Sequence, residues 1–240
     1  MFWKKRRDEK DERNSFRQRA ESELKAAGYD ALFSSQPGDP IPPNFSDLWL
    51  LWQATIAAKP SLILEYGSGY STYLFARTLQ KLGRGKVISV ELGRQWRELS
   101  AARLDAETSP FAEFISPSPS VRIVSALVPG GGIDWYKKKS SVPRRIGMVT
   151  IAFPELYGLR PDFIFLDGPQ ASQVSGYVDS ETNEPLAPIV SDPLVFEKAK
   201  PPAICVDGRR EQCAFLDANL AADYRREIHE AQRFTFFYPR

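Results

Sequence analysis

Apolar residues along this chain fall into short runs separated by polar, glycine-bearing breaks. Leu62-Ile63-Leu64, the K-V-I-S-V-E stretch at 86–91, residues 121–128, Phe163 to Leu166 and Ala203 to Val206 are such runs. Runs of this length bounded by turn residues predict strands buried on both faces. Between them the apolar spacing turns helical. In residues 45–58, Leu48, Leu51, Trp52 and Ile56 share a face, with Ser46 as the expected N-cap. Residues 73–82, 94–104, 191–199 and 211–220 also read as helices, and 148–153 as an extra short strand. Residues 224–228 and 233–238 alternate polar with apolar, as in a closing antiparallel hairpin. Strands alternating with helices predict an α/β fold: a doubly wound, mostly parallel sheet with a terminal antiparallel hairpin.

The ends of the chain differ from its middle. Residues 1–28 are highly charged, with oppositely charged partners four apart, Glu9 with Arg13 and Glu21 with Lys25. A solvated helix ending near Gly28 is expected. Pro37, Pro40, Pro42 and Pro43 follow, and neither a regular helix nor a central strand tolerates them. The division is therefore an N-terminal helical arm, 1–35, and one domain, 36–240. Net charge is +2. Lys4 to Arg19 alone holds eight Lys/Arg and four Asp/Glu, a balance of +4 that leaves −2 for the rest. Phe2 and Trp3 could anchor such an arm on nucleic acid or an anionic membrane; an exposed helix or tail fits it too. Cys205 and Cys213 read as buried free thiols in a reducing compartment. No apolar run is long enough for a membrane span, and no apolar segment follows the basic N-terminus as in a secretory signal. The expected location is cytoplasmic.

Candidate chemistry centres on L-I-L-E-Y-G-S-G-Y-S-T, residues 62–72. A strand arrives at Glu65, Gly67 and Gly69 allow a sharp turn, and Ser71 and Thr72 open a helix. Glycines there let a ligand approach the main chain, and the free N–H groups of the new helix face it. The next strand ends in Glu91, at the spacing of a βαβ unit, where a carboxylate can accept both hydroxyls of a ribose. A surface acid at a helix start is the other reading of Glu91. The pattern G-x-G-x-x-G of NAD sites fails at its third position, Thr72, and Glu65 would repel a pyrophosphate.

On Glu65, Gly67, Gly69 and Ser71, matching E/D-x-G-x-G-x-S/T, the sequence resembles the class I S-adenosylmethionine (SAM) methyltransferases, Rossmann-like proteins. The resemblance extends over residues 45–239 and is nearest to O-methyltransferase-like branches acting on small molecules, with a D-G-P turn at Asp167-Gly168-Pro169. It implies that SAM is held by Glu65, Tyr66, Gly67, Ser68, Gly69, Ser71 and Thr72, with Glu65 on the methionine part. It implies Glu91 on the ribose, and Ser125 and Ala126, after a third strand, beside the adenine.

Methyl transfer to a hydroxyl needs alignment and a means of removing the hydroxyl proton. Asp167 and Asp207 end buried strands on one sheet edge. Asp167 is the expected catalytic base, with capping of its own Gly-Pro turn as the competing role. The two acids together could ligate a divalent cation. Against the metal-dependent relatives, however, Gly208 stands where they carry Asn, and no third ligand is evident. His229, the only histidine, falls in the terminal hairpin and reads as a packing or surface residue. Trp135 lies in a loop with Gly130-Gly131-Gly132 and Lys137-Lys138-Lys139, where packing that loop is its expected task. Polar residues 172–188 read as an insertion or lid over the same edge.

The expected function is SAM-dependent methyl transfer to a small-molecule or sugar acceptor at oxygen. Two readings compete: a SAM- or nucleoside-binding module without catalysis, and a nucleic-acid methyltransferase using the basic arm. Against the last, there is no N/D-P-P-Y/F motif and no dense basic face on the domain.

Overall fold

The computed structural model describes residues 2–34, 42–130, 135–137, 143–170, 173–174 and 188–240, with the side chains of 2–10 excepted. Seven strands form one sheet in the order β3-β2-β1-β6-β7-β9-β8. Its parallel part is β1 (Leu62–Tyr66), β2 (Lys86–Val90), β3 (Ala112–Ile115), β6 (Phe163–Leu166) and β7 (Ala203–Asp207). β8 (Tyr224–His229) and β9 (Phe234–Pro239) form the hairpin, with β9 antiparallel to β7.

The two-residue period of these strands divides the core. Ile63, Phe163, Phe165, Cys205, Phe234 and Phe236 belong to one apolar cluster. Leu64, Tyr66, Ile164, Leu166, Ile204, Val206 and Phe237 belong to another. The first lies under helices α1 (Phe2–Ala26), α2 (Phe45–Ala58) and α3 (Tyr70–Leu82), where Phe75 meets Phe163 and Phe165 edge-on at 6.1 and 5.8 Å. The second is covered by helices α5 (Pro193–Phe196) and α6 (Arg210–Asn219) and by the ribbon of β4 (Ser120–Val128) and β5 (Arg144–Ala152). Each Phe buried at this level contributes about 1.5–3 kcal/mol.

One expected strand changes place. Residues 121–128 do form a strand, but β4 pairs antiparallel with β5 in a separate two-stranded sheet. The neighbour of β2 is instead the four-residue β3. Pro117 and Pro119 separate β3 from β4. Prolines offer no backbone donor, so the chain leaves the sheet there.

The arm is also more attached than its charge suggests. Its exposed residues 11–15 give way to Ala20 and Leu24, 1% and 0% accessible, and Leu24 packs with Tyr29 and Leu32 into the α2–α3 layer. Trp49 donates its indole N–H to Glu23 at 2.6 Å, and Phe16 meets Trp49 edge-on. The α2 cap is Asn44, not Ser46: the Asn44 side chain accepts the Ser46 N–H at 3.2 Å. The side chains of Phe2 and Trp3, most of residues 172–188, and Gly131, Gly132, Lys138 and Lys139 lie outside the described residues. Trp135 packs partly buried against the second cluster, and His229 bonds to Glu227 within the hairpin.

Candidate active site

The sheet order reverses between β1 and β6, and ligand crevices of open α/β sheets form at the carboxyl ends of strands at such a point. A cavity of about 370 Å³ opens there, within the range of small-molecule sites. Its lining includes Gly67, Ser68, Gly69 and Ser71 of the β1–α3 turn, Glu91 after β2, Asp167 and Gly168 after β6, and Asp207 at the end of β7. Strands far apart in sequence thus bring these residues to one edge.

The turn is built from within. Glu65 is fully buried and lies outside the cavity lining. Its carboxylate accepts the Ser71 hydroxyl at 2.5 Å and the Thr72 hydroxyl at 2.6 Å. Thr72 Oγ1 in turn accepts the Gly69 N–H at 3.1 Å. Glu65 therefore pins the glycine turn to the start of α3, which differs from the direct methionine contact expected of it. Burial pushes its carboxyl up to about 7, against the lowering effect of those hydroxyls. Tyr66 points into the opposite layer and donates to the buried Asp192 at 2.8 Å.

The two glycines play different parts. Gly67 has φ +94°, and a Cβ there would come within 2.9 Å of the Gly168 backbone nitrogen. A Cβ on Gly168 would meet Gly67 at 2.8 Å. The close approach at Gly67 is thus between the β1 and β6 turns of the protein itself. At Gly69 a Cβ would find only Ser71 Oγ, at 4.0 Å, so the open space of the cavity lies over Gly69.

At the β2 end, Glu91 is 4% accessible and its carboxylate is held by four donors. Oε2 accepts Ser68 N–H at 2.9 Å and the Ser68 hydroxyl at 3.3 Å. Oε1 accepts Gly93 N–H at 2.6 Å and Gln173 Nε2 at 2.9 Å. Trp96, on helix α4 (Arg94–Ala102), lines the cavity near Glu91. Ser125 and Ala126 do not line it, because β4 lies in the separate ribbon: Ser125 is exposed and Ala126 packs in the core. The segment after the actual third strand is Ser116-Pro117, where the Ser116 hydroxyl donates to the Glu91 carbonyl.

The other half of the cavity is acidic. Asp47, on α2, joins Asp167 and Asp207, and nothing in the sequence pattern separates it from an ordinary first-turn helix acid. Its Oδ1 is buried without a hydrogen-bond partner among the described residues. Burial and the nearby Asp167 push Asp47 up to about 7, against Arg233. Burial, then Asp167 and Asp47, push Asp207 up to about 8, against Arg233 and Arg209. Asp167, which opens onto the cavity, is also raised by the low-dielectric wall around it and by Glu91, with Arg209 opposing. Arg209 donates to the carbonyls of Asp167 and Pro169, the latter at 3.0 Å. Arg233, at φ +62° beside β9, donates to the Gly208 carbonyl at 3.2 Å.

This donor set does not fit a resident divalent cation. Among the described residues no three of His, Cys, Asp and Glu come together as metal ligands. Arg209 already brings a positive charge to Asp167 and Asp207, so that pair does not fit the cation expected there. SAM fits better: a glycine turn with space over Gly69 and a carboxylate after the next strand share one cavity.

A mostly parallel seven-stranded sheet ends in an antiparallel hairpin and carries a glycine turn at its switch point. The chain has the class I methyltransferase fold. Solved structures with overall likeness include a methyltransferase of Podospora anserina bound to S-adenosylhomocysteine (SAH), at 11% identity and a TM-score of 0.45, covering 88% of this chain and 86% of that one. The O-methyltransferase TomG of Streptomyces achromogenes, in complex with SAM, gives 14% identity and a TM-score of 0.43, covering 95% and 88%. An O-methyltransferase of Bacillus cereus, in complex with SAH, gives 12% and 0.42, covering 94% and 91%. No family profile and no curated protein matches the chain. Among its described residues, no helix of this methyltransferase fold is long and apolar enough to cross a membrane.

Proposed function

We propose that the protein is a SAM-dependent methyltransferase acting at oxygen on a small hydroxylated acceptor. The observation that carries this reading is one continuous cavity, with Gly69 and Glu91 at one end and Asp167 and Asp207 at the other. SAM supplies a methyl group already activated on a sulfonium. The protein's task is therefore to bind, orient, exclude water and handle one proton.

Each residue's part follows from its surroundings. Ser68, Gly69 and Ser71 form the wall of the cofactor half, and Glu65 holds that wall in shape through Ser71 and Thr72. Glu91 offers the acceptor atoms that suit a ribose diol, and Trp96 offers an aromatic face beside it. Asp167 takes the acceptor's hydroxyl proton on its carboxylate. A carboxyl raised toward the working pH is a better base than one at its ordinary value. Leu48, Leu51, Phe165 and Phe234 give the acceptor half apolar walls, suited to a compact ring or chain bearing the hydroxyl.

The test is turnover of SAM across a set of hydroxylated small molecules, with wild type and Asp167→Asn side by side. Asp167→Asn keeps the size and removes the charge. It is expected to keep SAH affinity and lose roughly 10²–10⁴-fold in methyl transfer, as for a lost general base. Full turnover in Asp167→Asn would reduce Asp167 to a turn-capping residue. SAH binding with no turnover on any acceptor would favour a binding module.

A further inference from the structure

Glu91 shows a regularity that the methyltransferase reading leaves unused. Each carboxylate oxygen accepts one backbone N–H and one side-chain donor: Ser68 N and Ser68 Oγ on Oε2, Gly93 N and Gln173 Nε2 on Oε1. The two amides are fixed by their turns. The two side-chain donors are the replaceable pair. A vicinal diol presents a matching pair, two O–H donors on adjacent carbons.

The consequences of replacement differ on the two sides. Ser68 Oγ, once displaced, still accepts from Ser100 Oγ at 3.1 Å. The Gln173 amide is wedged in place: a Cβ on Gly93 would lie only 2.9 Å from its Nε2 and 3.0 Å from Glu91 Oε1. Its other end ties it to the segment after β6. Gln173 Oε1 accepts Gln170 N–H at 2.7 Å, and Gln173 N–H donates to the Gln170 carbonyl at 3.0 Å. Gln170 and Gln173 both line the cavity, three and six residues beyond Asp167. One side chain therefore links Gln170, on the acceptor side, to the carboxylate on the cofactor side.

We propose that Gln173 is an internal stand-in for the nucleoside's diol, holding on Glu91 the place that a ribose hydroxyl takes. The inference rests on the nucleoside reading of the cavity. Binding of the nucleoside displaces the Gln173 amide from Glu91, with Gln173 keeping its two bonds to Gln170 as the alternative hold. A ligand shifts such an equilibrium only through its better contact with the released form, and the diol supplies that contact. Gln173 is thus a positioning residue that competes with the cofactor and sets its affinity.

The test is a calorimetric titration of SAH into the full chain as wild type, Gln173→Ala and Gln173→Asn. Alanine removes the competing donor, and asparagine is one carbon too short to span from Gln170 to Glu91. Both are expected to bind SAH about ten- to a hundredfold more tightly than wild type, the effect of relieving one hydrogen bond to a charged acceptor. A residue that merely supports the site would move affinity the other way. Unchanged or weaker SAH binding in both variants, with wild-type binding intact, overturns the stand-in. If wild type itself shows no SAH binding, the nucleoside reading falls, and this inference with it.

Discussion

Gly67 and Gly69 look alike in the sequence, yet the structure gives them opposite liabilities. Gly67→Ala forces a left-handed φ and meets the Gly168 backbone at 2.9 Å. A loss of roughly 2–4 kcal/mol of stability is expected, measured by denaturant unfolding. Gly69→Leu meets no such wall and fills the cavity instead, so it should leave the melting temperature unchanged. Asp47 makes a second prediction at this scale. Its carboxyl is raised to about 7, so between about pH 4 and 7 the folded chain holds a proton there that the unfolded chain has lost. Stability from this group therefore falls as pH rises through that window. Asp47→Asn removes the effect, and should raise the melting temperature at pH 8 relative to pH 5 when compared with wild type. An identical pH profile in the two proteins would show Asp47 to be an ordinary exposed acid. The glycine turn and Glu91 were legible because their residue types and spacing carry the chemistry. Asp47, Gln173, Arg209 and Arg233 were not, since charged and amide residues on helices and in polar loops acquire a role only when the fold brings them to the cavity.

At the scale of elements, the two-residue and helical periods identified most strands and helices but not every partner. A run such as 121–128 is strand-like whether it joins the main sheet or a ribbon. The true third strand, Ala-Glu-Phe-Ile, is too short and mixed to stand out from its surroundings. Hairpin residues 224–239 were legible because two strand-like runs flank a short turn, and β9 then hydrogen-bonds along the edge of β7. The arm was legible as a helix, but its attachment was not, because only a few apolar residues on it face the body. Packing divides the arm: residues 11–15 are exposed, while Leu24 is fully buried in the core under α2 and α3. Removing residues 1–15 should change neither SAH affinity nor stability. Leu24→Ala, which empties a fully buried site between α1 and α2, should cost about 2–5 kcal/mol by unfolding. An unaffected melting temperature in Leu24→Ala would mean that α1 is not held on the body in solution.

For the whole molecule, the sheet order decides what meets at one edge. Reversal between β1 and β6 sets the glycine turn and Glu91 on one side and Asp167 and Asp207 on the other, with helix α2 adding Asp47 above them. The side of Gly69 and Glu91 is neutral but for one fully bonded carboxylate. The side of β6 and β7 carries three carboxyls, Asp47, Asp167 and Asp207, beside the guanidiniums of Arg209 and Arg233. A nucleoside in the cavity would touch both sides at once. The most direct measurement is a calorimetric titration of SAH into wild type and Gly69→Leu, each checked for an unchanged melting temperature. Binding at one site per chain in wild type, abolished in Gly69→Leu, is the predicted result. Equal SAH affinity in the two proteins would contradict the placement, and no SAH binding to the folded wild type would contradict the function.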